Sequence, residues 1–226
     1  STRHLSWLEN DKSAPSRAMV LRLAEHLEVP LRERNAWLRA AGFAPLYREQ
    51  PLDAAALASV QALLDAHLPA LAIAVDRHWQ LVAANAMLPP LLQGVDPALL
   101  APPVNVLRIA LHPRGLAPAI VNLPAWRGHV LQRLRRQAEA AGDPALQALH
   151  DELAGWGPAD EQGFDADAVA LPLRLRTPVG ELALISTLTV FGAPHDIQLS
   201  ELALETFLPA DAATAEALRR LAAGLS

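Results

Sequence analysis

Over residues 1–42 the apolar positions fall at helical spacing in three short stretches. Leu5 and Leu8 lie one turn apart behind Ser1, which suits the N-cap of a helix over 1–10. Turn chemistry around Asn10-Asp11-Lys12-Ser13 and Pro15-Ser16 leads into a second helix ending near Leu27, with Met19, Val20, Leu23, Ala24 and Leu27 as its stripe. Pro30 opens a third helix, about Leu31–Ala41, and Gly42 stops it. A polar, Pro-containing linker over 46–52 precedes a longer helix, Asp53–His67, with Leu57, Val60 and Leu64 on one face. The period then changes. Ala70–Val75 and Gln80–Ala84 read as short strands joined at Asp76-Arg77-His78-Trp79. Residues 86–155 return to helical patterns broken by prolines. Within them, Ala125–Ala141 should turn Trp126, Val130, Leu131 and Leu134 inward and Arg127, Arg133, Arg135 and Arg136 mostly outward, and Asp143–Leu153 should form the next helix. Gly155–Asp167 reads as a loop. Three strand-like stretches follow, Ala168–Arg176, Glu181–Phe191 and Ile197–Phe207, before a terminal helix over Asp211–Ala223. Two strands early and three late imply an α+β body, one antiparallel five-stranded sheet with helices on one face, behind a short all-helical N-terminal unit.

Composition supports a packed core. Of 226 residues, 52% are hydrophobic and 19% charged, so there is ample apolar side chain to bury. No apolar run reaches the length of a membrane-spanning helix and no signal-peptide pattern opens the chain, so the expectation is a cytoplasmic protein without membrane contact. The chain starts at Ser1 without Met, from which a fragment or trimmed product is expected. The net charge is −5 and unevenly spread: residues 1–50 hold eight basic against six acidic side chains, and the remainder eleven against eighteen. That asymmetry fits a small nucleic-acid-facing module on an acidic body.

Catalytic chemistry finds little support. The absence of Cys removes a thiolate metal site and a Cys nucleophile. The eight His show neither HxxxH nor HxH spacing, Ser186 sits in no nucleophile elbow, and the glycines near 155–163 match neither GxGxxG nor a P-loop. No enzyme activity, cofactor or metal is expected. What remains is binding. Leu- and Val-rich helices against a sheet can enclose an apolar cavity with a few polar groups, for which Trp79, Met87, Leu107, Leu111, Trp126, Leu184 and Phe191 are candidate lining. Arg108, an isolated cation in an otherwise apolar segment, is the leading polar candidate, followed by Asn85, Asn105, His112 and Arg127. Each can equally be a core or surface residue.

Ser1-Thr2-Arg3-His4-Leu5-Ser6-Trp7-Leu8-Glu9-Asn10 resembles the recognition helix of the xenobiotic-response-element, or Cro/C1-type, helix-turn-helix family. Leu21-Arg22-Leu23-Ala24-Glu25-His26-Leu27 is similar to the next helix of that fold. Ala40-Ala41-Gly42-Phe43-Ala44-Pro45-Leu46-Tyr47, Asn105-Val106-Leu107-Arg108-Ile109-Ala110-Leu111-His112-Pro113, Asn122-Leu123-Pro124-Ala125-Trp126, Leu173-Arg174-Leu175-Arg176-Thr177-Pro178-Val179-Gly180 and Phe207-Leu208-Pro209-Ala210-Asp211 resemble the MmyB-like transcription regulators. The resemblance covers nearly the whole chain. It implies a DNA-binding transcription regulator: a partial helix-turn-helix domain over 1–45 lacking its first two helices, the linker 46–52, and a PAS-like ligand-binding domain over 53–226.

On that reading Thr2, Arg3, His4 and Ser6 would face the major groove, with Arg3 suited to a guanine edge. Ser1 and Thr2 would lie near a phosphate at the helix N-terminus, and Lys12 and Arg17 would set register on the DNA backbone. Without the two leading helices, weak DNA binding or none is expected of this chain by itself. The sensor would take a small hydrophobic ligand, fatty acids being the chemotype the resemblance implies, and a homodimer would present two recognition helices to double-stranded DNA. The rival reading is a regulator with a solid sensor core, controlled by protein–protein contacts.

Overall fold

The computed structural model describes residues 14–159, 170–192 and 196–224. The expected first helix, and with it Ser1, Thr2, Arg3, His4, Ser6 and Lys12, lies outside the described residues. The chain divides into two compact units, one of residues up to Leu52 together with Val190–Glu201, the other of Asp53–Thr189 with Leu202 onward.

In the first unit, α1 spans Arg17–His26 and Ser16 caps it, its hydroxyl accepting from the Met19 N–H. Helix α2 spans Leu31–Ala40, and Pro30 occupies its N-cap position rather than the first turn. Gly42 follows at φ +81°, a backbone conformation that disfavours any side chain. Asn35 is 1% exposed and ties α2 to the segment after it: its Oδ1 accepts from the N–H of Leu46 and Tyr47, and its Nδ2 donates to the Tyr47 carbonyl. Arg32 donates to both carboxylate oxygens of Glu201, at 2.6 and 2.9 Å, and pairs with Glu49.

The second unit begins with α3, Ala54–Asp65, capped by Asp53. Strands β1, Leu71–Val75, and β2, Leu81–Ala84, form the expected hairpin. Its turn is held by Asp76 Oδ1, which accepts from the N–H of His78 and Gln80, and Trp79 takes φ +64°. A short α4, Leu88–Leu91, leads to α5, Val106–Leu111, which Asn105 caps through two backbone N–H groups. The long α6 covers Leu123–Ala141 and ends at Gly142 in the left-handed region, φ +59°. Helix α7, Pro144–Ala154, follows directly. Strands β3, Leu173–Thr177, and β4, Gly180–Val190, make a second antiparallel hairpin.

Here the chain departs from expectation. Ile197–Ser200 is not strand but a single helical turn, α8, because Asp196 accepts from the N–H of Gln198 and Leu199 and so favours local helical closure over pairing. The fifth strand, β5, is therefore shorter, Ala203–Pro209, and α9, Ala212–Ala223, closes the described chain.

The sheet order is β2-β1-β5-β4-β3. Strand β5, last in sequence, lies in the middle and pairs antiparallel with β1, Leu71 opposite Phe207 and Ile73 opposite Glu205. The fold is α+β. Strand β1 is buried along its whole length, so both of its faces are covered. Leu71, Ile73 and Val75 join one core with Leu173, Leu175, Leu182, Leu184 and Phe207 from the other strands and Trp126, Val130 and Leu134 from α6.

One prediction arises at α7. Asp143 caps the helix through the Ala145 N–H at 2.9 Å, and its other oxygen lies 2.9 Å from His78 Nε2 and 3.7 Å from Arg77. The His78 hydrogen bond, with the cap bond and Arg77 adding to it, holds this carboxyl below its ordinary pKa. Asp143→Ala should therefore cost about 1–2 kcal/mol at pH 7. A carboxyl whose folded pKa is depressed stabilises above its unfolded pKa, near 4, and stops doing so as pH falls through the folded value. Urea unfolding of wild type and variant at pH 7 and pH 3 checks this: the gap between them should narrow in acid.

Candidate functional site

The alternation of the strands places Leu71 and Ile73 of β1, Leu173 and Leu175 of β3, Leu184 of β4 and Phe207 of β5 on one side of the sheet, where they line a common cavity. Helix α5 faces them with Leu107 and Ala110, and α6 with Trp126, Val130 and Arg133. The α6 trio falls at i, i+4 and i+7, one stripe of a helix. Leu88 and Leu91 of α4 complete the wall. The cavity volume is about 80 Å³. An engineered apolar cavity of about 150 Å³ holds benzene, so this space takes part of a ligand as it stands and a larger molecule only if the wall yields. A larger cleft of about 290 Å³, bordered by Gly94, Pro113, Arg114 and Thr177, has a mixed polar and apolar lining.

Two lining groups are charged. Glu205 is 3% exposed, and register explains its place: it sits opposite Ile73 and two residues before Phe207, so it shares their face. Arg133 Nη1 donates to Glu205 Oε1 at 3.0 Å, and the Ser186 hydroxyl donates to the same oxygen at 2.5 Å. The guanidinium carbon lies 4.3 Å from the centre of a Trp79 ring, a cation–π contact. Arg133 Nε is buried without a hydrogen-bond partner. Nearby His129 stacks on Trp126, ring centres 5.5 Å apart; burial first, then the Arg133 charge, push its pKa below the ordinary value, so it is neutral at pH 7.

Of the ligand candidates read from sequence, Leu107, Trp126 and Leu184 line the cavity. The others serve elsewhere. Trp79 lies behind Arg133, its Nε1 donating to Gln137 Oε1 at 2.8 Å. Met87 and Leu111 are fully buried in the core. Asn85 and Asn105 hold backbone groups, Asn105 as the α5 cap and a donor to the His78 carbonyl. Arg108 pairs with Glu152, Nη2 to Oε2 at 2.7 Å, and this hydrogen bond raises its pKa. Its side chain is 40% exposed, so it completes a surface ion pair. His112 ends α5, accepts from the Arg114 N–H and meets Trp156 edge-on at 4.7 Å. Phe191 follows the end of β4 and is not among the residues that line the cavity.

Two arginines of α6 correct the expected outward set. Arg127 is 4% exposed; its Nη1 donates to the Pro158 carbonyl at 3.1 Å and burial lowers its pKa. The approach is so close that a Cβ on Gly157 would fall 2.6 Å from Nη1. Arg133 is half-buried against Glu205. Both follow from the width of the buried stripe on a helix packed against a sheet on one side and α7 on another.

Sequence reasoning missed Leu71, Ile73, Arg133, Glu205 and Phe207. A signal existed for Arg133 in its spacing from Trp126 and Val130, and for Glu205 as a lone acid in an apolar strand; nothing local linked the two. Of the DNA-facing candidates, Arg17 is at the exposed start of α1 and the rest lie outside the described residues. Among the described residues no group of three or more His, Asp or Glu is placed to hold a metal, and no helix is long and apolar enough to cross a membrane.

Residues 57–221 match the family model for the MmyB-like transcription regulator ligand binding domain. No curated protein matches the chain.

Proposed function

The chain belongs to the family of the MmyB-like transcription regulator ligand binding domain, and from that premise we propose that it is a ligand-responsive regulator whose sensor is the cavity between the sheet and α5 and α6. The observation that carries the reading is an almost wholly apolar cavity, inside the matched segment, with a single charged pair in its wall. Such a lining suits a small hydrophobic ligand, including a hydrocarbon chain of the fatty-acid type. The order β2-β1-β5-β4-β3, with helices packed on it, supports a PAS-like sensor. The N-terminal helices support a helix-turn-helix unit of the xenobiotic-response-element type, which would bind double-stranded DNA as a homodimer in the cytoplasm. Ligand binding would favour one sensor conformation and so change the spacing of the two recognition helices, a population shift. The protein acts by binding and not by catalysis.

The experiment is extraction of the purified protein under denaturing conditions, with mass spectrometry of what is released. Wild type should yield a hydrophobic molecule in stoichiometric amount, or show a thermal shift with a panel of aliphatic compounds. Ala110→Phe, which fills the cavity, should yield none and show no shift. The small volume favours a second reading, a solid sensor controlled by protein contacts. An empty wild-type protein indifferent to the panel would establish that reading and end the first.

A further inference from the structure

We propose that the ligand carries a neutral head that both donates and accepts hydrogen bonds, an alcohol or a primary amide on a hydrocarbon body, and not a free carboxylate. This rests on the cavity being the ligand site. The cation that a carboxylate would seek is already taken: Arg133 is paired with Glu205 at 3.0 Å, so the charged part of the wall carries no net charge. An entering carboxylate would sit beside a carboxylate that is 3% exposed, the two sharing one half-buried guanidinium. His129 supplies no second cation, because its desolvation and the Arg133 charge keep it neutral.

The unfilled valences of the pair point the same way. Ser186 and Arg133 both donate to Glu205 Oε1, and Oε2 has no hydrogen-bond partner among the described residues. Arg133 Nε is a buried donor with no acceptor. The wall therefore lacks one donor and one acceptor. A hydroxyl or a primary amide offers both; a carboxylate offers acceptors alone, leaves Oε2 unmet and adds repulsion. Every other side chain that lines the cavity is hydrocarbon or indole.

The test is calorimetric titration of the full chain at pH 7.5 with 1-octanol, octanamide and octanoate, which share a tail and differ in the head. The two neutral compounds should bind at least tenfold more tightly than octanoate, and Ala110→Phe should abolish all three. Glu205→Gln removes the competing anion and should improve octanoate at least tenfold. The wild-type comparison stands by itself if that variant fails to fold. Octanoate binding wild type as well as the alcohol would overturn the head assignment while leaving the cavity in place. Binding by none of the three would remove the cavity reading and this inference with it.

Discussion

Arg133→Met is expected to lower the stability of the protein by about 3–5 kcal/mol, although most of the arginine's hydrocarbon is replaced. The loss comes from the partner left behind. Glu205 is 3% exposed and would keep only the Ser186 hydroxyl at 2.5 Å. A carboxylate so buried and without its cation must take up a proton or stay charged in a poor solvent. The Trp79 ring also loses its cation–π partner, worth about 0.5–1 kcal/mol. Replacing both members, Arg133→Met with Glu205→Leu, removes the orphan along with the bond and should recover most of the loss, since a well-packed apolar pair is often as stable as a buried ion pair. Urea unfolding of the two single variants and the double variant measures the coupling. A single Arg133→Met variant within about 1 kcal/mol of wild type would mean that the pair is solvated, and the charge-balance argument for the ligand head would fall with it.

Asn85→Ala should cost about 2–4 kcal/mol, which at this chain length corresponds to a melting-temperature drop of roughly 4–16 °C. Asn85 is 2% exposed and ties three segments together. Its Nδ2 donates to the carbonyls of Ala70 at 2.8 Å and Leu64 at 3.1 Å, joining the end of α3 to the entry of β1. Its Oδ1 accepts from the N–H of Ala72 and Met87, both at 3.3 Å. Alanine would remove this partner from the Ala70 carbonyl and from the N–H groups of Ala72 and Met87, while the Leu64 carbonyl keeps its bond from the His67 N–H; each group left unmet carries its own desolvation cost. Asn85→Asp should be no better, because it keeps the acceptor, loses both donors and buries a charge. Differential scanning fluorimetry followed by urea titration would decide; a drop below 2 °C for Asn85→Ala would show that water replaces the amide.

Asn85 illustrates what was legible beforehand and what was not. Its position after a strand marked it as polar in an apolar setting, which made it a ligand candidate, yet the groups it serves are separated from it by up to 21 residues of chain. Arg108 is the same case from outside: an isolated cation in the stretch Val106–Leu111, satisfied by Glu152 from α7. In both, the residue type announced a polar requirement and the identity of the partner came from packing. Ile197–Ser200 shows a local misreading of another kind. Its apolar residues fit a strand, and the Asp196 cap that turns them into helix acts through two backbone hydrogen bonds that hydrophobic alternation does not register.

By itself, then, the sequence determined what depends on neighbours a few residues apart. The caps at Ser16, Asp53, Asp143 and Asp211 precede helices that start where expected or within a few residues of it, because capping is a bond between a side chain and a backbone N–H two or three positions on. The hairpin around Asp76–Trp79 and the α+β class follow from the same short range. The tertiary structure decided the site. Glu205 meets Arg133 across 72 residues only because β5 inserts beside β1 in a register that sets Ile73 opposite Glu205. A shift of that register by one residue would turn Glu205 to the other face and leave Arg133 without its partner. Strand order and register are collective properties of the packed chain, and with them came the one charged pair in an apolar wall.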